Sequence, residues 1–161
     1  MRALLAAALL LGAGCAAVSP SILVVRHADR EPGKDPDLNA AGRARAEALI
    51  EPARRAGVVA VYHTQYKRTK QTAEPVALAL RIPMFQIDVA SNQEAAYADA
   101  LYRSIEASCP GKSVLIVSHS NTIPFVLKKF GVASPREIPD AEYGTIFVVT
   151  NGKVTEEKFG P

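Results

Sequence analysis

Two apolar runs of strand length each end on a histidine: Ile22-Leu23-Val24-Val25-Arg26-His27 and Val114-Leu115-Ile116-Val117-Ser118-His119. Near-continuous runs of this kind suit the central strands of a parallel sheet, which are buried on both faces. In an open α/β sheet the ligand crevice lies beyond the carboxyl ends of the strands. Two parallel strands would therefore deliver His27 and His119 to one crevice. Arg26 travels with the first histidine, and Arg68 follows a third apolar run, Val58–Tyr62. Two imidazoles and two guanidiniums in one cleft describe an anion site that contains a nucleophile.

Past residue 20 the chain alternates short apolar runs with helical patterns, the signature of βαβ units. Strands are expected at Ile22–Arg26, Val58–Tyr62, Phe85–Ile87, Ser113–Ser118, Thr145–Thr150 and Val154–Phe159. Helices are expected over 40–56, 67–80, 93–107 and 122–130. Asn39 is placed to cap the first, and Ala46, Leu49, Ile50 and Ala53 give it one apolar face. Pro52 should kink or end it, and Pro75 should kink the second. Tyr97 and Tyr102 sit on the third helix, where packing is the better reading than a pocket mouth. Gly131 is a C-cap for the fourth. Asn151-Gly152 is the strongest short hairpin signal in the chain. The sum is a three-layer α/β/α domain over residues 21–161, with a mostly parallel central sheet.

The 161 residues suggest one domain, long enough to bury a core. A net charge of +3, with no basic run interleaved with aromatics, gives no reason to expect a nucleic-acid partner. Residues 1–20 are different material. Met1-Arg2 precedes a nearly pure Ala/Leu stretch, then Gly12-Ala13-Gly14-Cys15. A positive start, an apolar core and small residues form a secretory signal. Ala-Gly-Cys resembles a bacterial lipoprotein signal with Cys15 as the lipidated residue; cleavage after Ala17 is the alternative. The expectation is an exported protein of the periplasm or cell envelope, touching membrane only through a lipid anchor. Cys109 then remains alone, in a turn, with no flanking feature that would lower its pKa.

A phosphoryl group carries up to two negative charges on oxygens around a tetrahedral centre. Arginine's planar fork binds such oxygens and keeps its charge. A neutral histidine can attack phosphorus and form a phosphohistidine that water then hydrolyses. Nearby cations oppose protonation of that histidine and keep it neutral.

These residues resemble the histidine phosphatase superfamily, the phosphoglycerate mutase-like fold. Arg26-His27-Ala28-Asp29 is similar to its Arg-His-Gly motif, with Ala28 in place of glycine. Leu38-Asn39-Ala40-Ala41-Gly42-Arg43-Ala44-Arg45-Ala46 looks like its helix start. Tyr66-Lys67-Arg68-Thr69-Lys70-Gln71-Thr72-Ala73 is similar to its Arg-Thr-x-Gln-Thr-Ala segment, and Val117-Ser118-His119-Ser120-Asn121-Thr122 matches its second-histidine turn. The resemblance implies a nucleophile at His27, with Arg26, Arg68 and His119 binding the phosphoryl oxygens. Arg30 and Pro32 extend the first motif, and Arg30 is a candidate further phosphate contact. The general acid stays open between Glu94, with Asp99 behind it, and Asp29; Ser120 stands where acid-phosphatase relatives carry aspartate.

No cofactor is implied. His63 beside the two other histidines invites a metal reading, but no paired Cys, Asp or Glu sits at ligand spacing, and no metal site is expected. The 92 residues between the histidines (119 minus 27) leave no room for a large cap domain. The expected activity is that of a phosphomonoesterase with an open pocket, acting on a phosphorylated small molecule or phosphoprotein. A protein phosphohistidine phosphatase and a noncatalytic phosphate-binding module are the alternatives.

Overall fold

The structure, a computed structural model, describes residues 19–161. The expected export segment, with Cys15 in it, lies outside the described residues. The chain order is β1 (Ile22–Arg26), α1 (Ala40–Ala48), α2 (Ile50–Arg55), β2 (Ala60–His63), α3 (Lys67–Leu80), β3 (Met84–Gln86), α4 (Glu94–Ser108), β4 (Val114–Ser118), α5 (Ile123–Lys129), β5 (Thr145–Thr150) and β6 (Lys153–Lys158). The six strands form one sheet in the order β3-β2-β4-β1-β5-β6. The β3, β2, β4 and β1 strands run parallel, and β5 and β6 join as an antiparallel hairpin. Asn151 and Gly152 turn that hairpin with φ of 51° and 73°, the left-handed pair that a two-residue type I′ turn requires.

Strand periodicity sorts the core into two layers. Val24, Tyr62, Val114 and Ile116 face α4 and α5, meeting Leu101, Ile105, Ile123 and Leu127. Leu23, Val25, Val61, Leu115 and Val117 face the other way, onto Leu49, Ala53, Ala73 and Val76 of the α1–α3 layer. This is the expected three-layer α/β/α domain with a mostly parallel sheet. The β6 edge carries Lys153, Glu156, Glu157 and Lys158, charges that discourage pairing with another chain's edge.

One helix differs from its expected form. The span 40–56 is two helices that meet at Leu49, not one that kinks at Pro52. Proline has no N–H for the Ala48 carbonyl, and its ring would clash with it. The chain therefore restarts one turn earlier, and Pro52 falls in the first turn of α2, where a missing N–H costs nothing. By contrast α3 runs unbroken through Pro75. Strand β2 sits later than the apolar run suggests and ends on His63, because pairing with β3 and β4 extends it into the polar residue.

Candidate active site

The register of β1 and β4 builds the site. Arg26 pairs with Ser118, so His27 and His119 are the next residues on neighbouring parallel strands. The His27 amide donates to the Ser118 carbonyl at 2.9 Å, and the two imidazole centroids lie 5.5 Å apart. Both rings line a cavity of about 410 Å³ at the carboxyl ends of the strands, together with Arg26, Arg30, Arg68 and Glu94.

The helices are tied to the first histidine's turn by small contacts. Thr72 accepts from the Ala28 amide at 2.9 Å and donates to the Arg68 carbonyl at 2.7 Å, locking the start of α3 against β1. Gln71 holds the loop before α1 by accepting from the Leu38 amide. Asn39 caps α1 by accepting from the Gly42 amide at 2.8 Å. Gly42 is required, because a Cβ there would overlap the Asp29 carbonyl oxygen. Ala28 is fully buried beside Leu38 and Ala46, where a single methyl fits.

The two imidazoles are backed differently. His27 Nδ1 lies 2.9 Å from the Ala28 carbonyl, which can only accept, so Nδ1 carries the proton and Nε2 keeps its lone pair. Burial holds this imidazole neutral, with its pKa lowered to about 3; the Ala28 carbonyl opposes the shift, and Arg26, Arg68 and Arg30 reinforce it. His119 is backed at Nε2 by the Thr64 hydroxyl, at 2.9 Å, and its Nδ1 lies 3.4 Å from an Arg68 nitrogen. Burial, then Arg68, His27 and Arg26, lower its pKa to about 3 as well.

Both arginines are aimed by aromatic rings. The Arg26 guanidinium stacks 4.3 Å from the Tyr143 ring centre, and that of Arg68 stacks 4.3 Å from Tyr66. Arg26 Nη1 donates to the carbonyls of Pro139 (3.1 Å), Asp140 and Glu142. Arg68 pairs with Asp35 at 3.5 Å. The Nε of each arginine is buried and has no hydrogen-bond partner among the described residues. A buried, unsatisfied donor costs about 1–3 kcal/mol.

The candidate acids separate. Glu94 lines the cavity and accepts from Asn121 Nδ2 at 2.8 Å. Asp29 turns away: its carboxylate takes Arg45 Nε at 2.7 Å, and it does not line the cavity. Asp29 lies two residues past His27 in the chain, but its side chain serves α1 and not the cavity. Asp99 pairs with Lys129 at 2.6 Å, also outside the cavity. Arg30 lines the cavity while donating to the Glu31 carbonyl. His63 is buried, bonded to the Thr64 carbonyl at 2.7 Å, and does not line the cavity. Among the described residues no group of three His, Cys, Asp or Glu is placed to hold a metal ion. Tyr97 is core, with Ser118 Oγ at 3.1 Å from its hydroxyl, and Tyr102 packs on Phe130.

Sequence reasoning missed several residues. Asp140 lines the cavity and accepts from Ser120 Oγ at 3.2 Å. Asp140 and Tyr143 lie in a loop with no periodicity, and only the fold brings it to Arg26. Thr64, Tyr66 and Asn121 lie within or beside the motifs already quoted, so their positions were visible but their contacts were not.

A sequence profile described as the histidine phosphatase superfamily, branch 1, matches residues 22–89, the span that holds Arg26, His27 and Arg68. Over that span the chain is similar to the histidine phosphatase superfamily. No curated protein matches the sequence significantly. Among solved structures, YhfR of Bacillus stearothermophilus is similar at TM-score 0.61 and 19% identity, covering 87% of this chain and 96% of that one. The protein histidine phosphatase SixA, solved with tungstate, is similar at TM-score 0.61 and 17% identity, over 87% and 96%. A mycobacterial glucosyl-3-phosphoglycerate phosphatase, solved with inorganic phosphate, gives TM-score 0.64 and 12% identity, over 87% and 95%. At these identities the likeness is one of fold.

Proposed function

We propose that the chain is a phosphomonoesterase that hydrolyses phosphate esters through a phosphohistidine at His27. The observation that carries this is the His27 tautomer. The Ala28 carbonyl holds the proton on Nδ1, which leaves Nε2 as the lone-pair nitrogen of a ring that lines the cavity. Arg26, Arg68 and His119 line the same cavity and supply donors for the phosphoryl oxygens.

In the first half-reaction Nε2 attacks phosphorus, a P–N bond forms, and the ester P–O bond breaks. The departing oxygen takes a proton from Glu94 or from water. In the second, water attacks phosphorus, the P–N bond breaks, and inorganic phosphate leaves with His27 restored. Metal is not needed for the charge, because the arginines provide it. The test is acid-quench labelling with an aryl phosphate: an acid-labile phosphoenzyme that disappears in His27→Ala supports the reading. Saturable phosphate binding with no phosphoenzyme and no turnover would make the chain a noncatalytic phosphate binder instead.

A phosphohistidine protein substrate is the second reading. The cavity is open and has no cap over it among the described residues, so a side chain on a protein surface can reach it. The SixA structure is named for that activity in its own case. A phosphohistidine peptide hydrolysed no faster than a free aryl phosphate would count against it.

Export completes the proposal. The Ala/Leu stretch and the small residues before Cys15 support a lipoprotein signal, which would place the enzyme in the periplasm or cell envelope on a lipid anchor. Cys15→Ser should move the protein out of the membrane fraction. A variant that stays membrane-bound would exclude lipidation at this thiol, and a soluble wild type would favour cleavage after Ala17.

A further inference from the structure

Behind His119 lies a short run of buried hydroxyls whose hydrogens have little choice of direction. Thr64 and Thr69 are both fully buried. Thr69 Oγ1 lies 2.8 Å from the Tyr66 carbonyl and 3.1 Å from the Thr64 carbonyl. Carbonyls only accept, so the single Thr69 hydroxyl proton points to them. Thr64 Oγ1 is 2.9 Å from Thr69 Oγ1, and with the Thr69 proton committed, Thr64 donates to it. Thr64 then has only a lone pair to offer His119 Nε2, also at 2.9 Å. Nε2 must be the N–H. Arg68, which can only donate, faces Nδ1 and agrees with that assignment.

The neutral ring therefore presents a lone pair at Nδ1, beside Arg68, in a pocket built for anions. A phosphate oxygen there would meet lone pair against lone pair. The conflict is removed only by one proton between Nδ1 and the oxygen. We infer that Thr64 is a positioning residue that fixes His119 as the Nε2–H tautomer, so that the pocket takes up one proton when it binds a phosphate dianion. This rests on the phosphate-site reading above.

The proton balance is explicit. A dianion and neutral His119 combine with one proton from solvent, which ends on Nδ1 as imidazolium or stays on the oxygen and donates to Nδ1. A monoanion brings the proton with it. The groups facing His119 fit this polarity. Burial first, then Arg68 from α3, His27 and Arg26 from β1, hold the free ring neutral, the Tyr66 ring packs edge-on at 5.2 Å, and an incoming dianion opposes the effect of the cations. Ser120 and Asp140 bond to each other and leave His119 to Thr64. The consequence for catalysis is that the proton on Nδ1 is available to the phosphoryl oxygens as negative charge develops there.

The test uses the full chain labelled with 15N-histidine, with inorganic phosphate as the probe. In the free protein the His119 signal should show a pyrrole-type Nε2 and a pyridine-type Nδ1. Phosphate added above its second ionisation, as the dianion, should convert Nδ1 away from the pyridine type. Calorimetry in buffers of different ionisation enthalpy should read uptake of about one proton per phosphate, the linkage expected of a coupled protonation. Thr64→Val should release the tautomer and weaken phosphate binding about tenfold, on the scale of one buried hydrogen bond. Thr64→Ser, which keeps the hydroxyl, should restore both. Nδ1–H in the free wild type, phosphate binding with no proton uptake, or a serine variant that behaves like valine would each overturn the inference. The wild-type measurements stand even where Thr64→Val fails to fold. Proton-coupled phosphate binding without any phosphatase turnover would overturn the enzymatic reading and leave this inference intact.

Discussion

His27 and His119 occupy equivalent places on adjacent parallel strands, yet the atoms behind them differ in kind. Behind His27 is a backbone carbonyl, which fixes the proton on Nδ1 and frees Nε2. Behind His119 is a side-chain hydroxyl at the end of a threonine pair, which takes the other nitrogen. The arginines divide the same way. Arg26 is held by main-chain carbonyls of a loop as well as by the Tyr143 ring and Asp140, whereas Arg68 is held by side chains alone, Asp35 and the Tyr66 ring. A backbone partner cannot be changed by mutation, so the tautomer of His27 is built into the turn itself. That of His119 depends on replaceable residues. Two identical rings at identical strand ends thus acquire different chemistry from the partner of the rear nitrogen.

The largest effect expected is at His27. His27→Ala should lower kcat by roughly 10⁴-fold or more, since no other group on the cavity presents an imidazole lone pair in the same place. The fold should survive, judged by circular dichroism. Substantial residual turnover would shift the nucleophile to His119 and erase the distinction drawn above. His119→Ala should cost less, about 10²–10³-fold in kcat, the scale of removing one hydrogen-bond donor to a transition-state oxyanion. It should also leave a phosphoenzyme that can still be trapped. Equal losses in the two variants, with no phosphoenzyme in either, would mean that the rings act as one unit.

What was legible in the sequence follows the same division. The paired strands, their parallel direction and the placing of Arg26, His27, Arg68 and His119 could be read because apolar runs of strand length end abruptly on charged or polar residues. The Asn151-Gly152 turn was legible because only a few residues adopt its backbone. The side chains that hold Arg26 were not. Tyr143 and Asp140 lie in a loop more than a hundred residues from Arg26 in sequence, and no local rule points across that gap. Asp29 misled for the opposite reason. Adjacency to His27 in sequence suggested adjacency in the site, but α1 packs so closely at Gly42 that the carboxylate serves Arg45. The helix expected over 40–56 divided at Leu49 because the steric reach of Pro52 acts on the preceding turn.

A smaller effect belongs to the carboxylates at the mouth. Hydrolysis of an alkyl phosphate needs a proton for a poor leaving group, and an aryl phosphate needs it much less. Glu94→Gln should lower kcat/KM for alkyl phosphates by roughly 10–100-fold and for aryl phosphates by much less. Equal losses on both would show that Glu94 positions phosphate through Asn121 and does not protonate the leaving group. Asp29→Asn should leave this ratio unchanged and act on stability instead, by about 1 kcal/mol for a part-buried ion pair partly screened by solvent, measured as a shift in the denaturant midpoint.

Next comes the clamp on the Arg26 loop. Arg136 bonds in two-pronged fashion to Glu142 and to Glu156 of β6, and lies 5.0 Å from the Phe147 ring centre. Glu142 is held ionised, its pKa lowered to about 2, mainly by Arg136. The same residue offers its carbonyl to Arg26 at 3.5 Å. Arg136→Ala should loosen the loop and raise KM several-fold with little change in kcat, since the reacting groups stay in place. It should leave the environment of Arg68 and His119 untouched. A fall in kcat with KM unchanged would mean that Arg26 acts mainly on the transition state.

The last effect is one of stability and pH, and its sign follows from the two neutral rings. Each folded-state pKa, about 3, lies below the ordinary value of 6.5. The unfolded chain therefore binds more protons than the folded one between those values. Stability attached to the neutral rings is complete above pH 6.5 and is lost as pH falls toward 3, with a slope of at most about 1.4 kcal/mol per pH unit for each histidine. Thermal melts from pH 7 to pH 4 should decline in the wild type, and His27→Gln should flatten that decline by up to half. Saturating phosphate should flatten it further, because a bound anion favours a proton on His119. His27 is different, since its Nδ1 proton is already spent on Ala28 and its Nε2 faces phosphorus. Phosphate should therefore act on the acid limb of His27→Gln as strongly as on that of the wild type, and should lose its effect in His119→Gln. The reverse result would mean that His27 is the ring that accepts the proton, with the two roles exchanged.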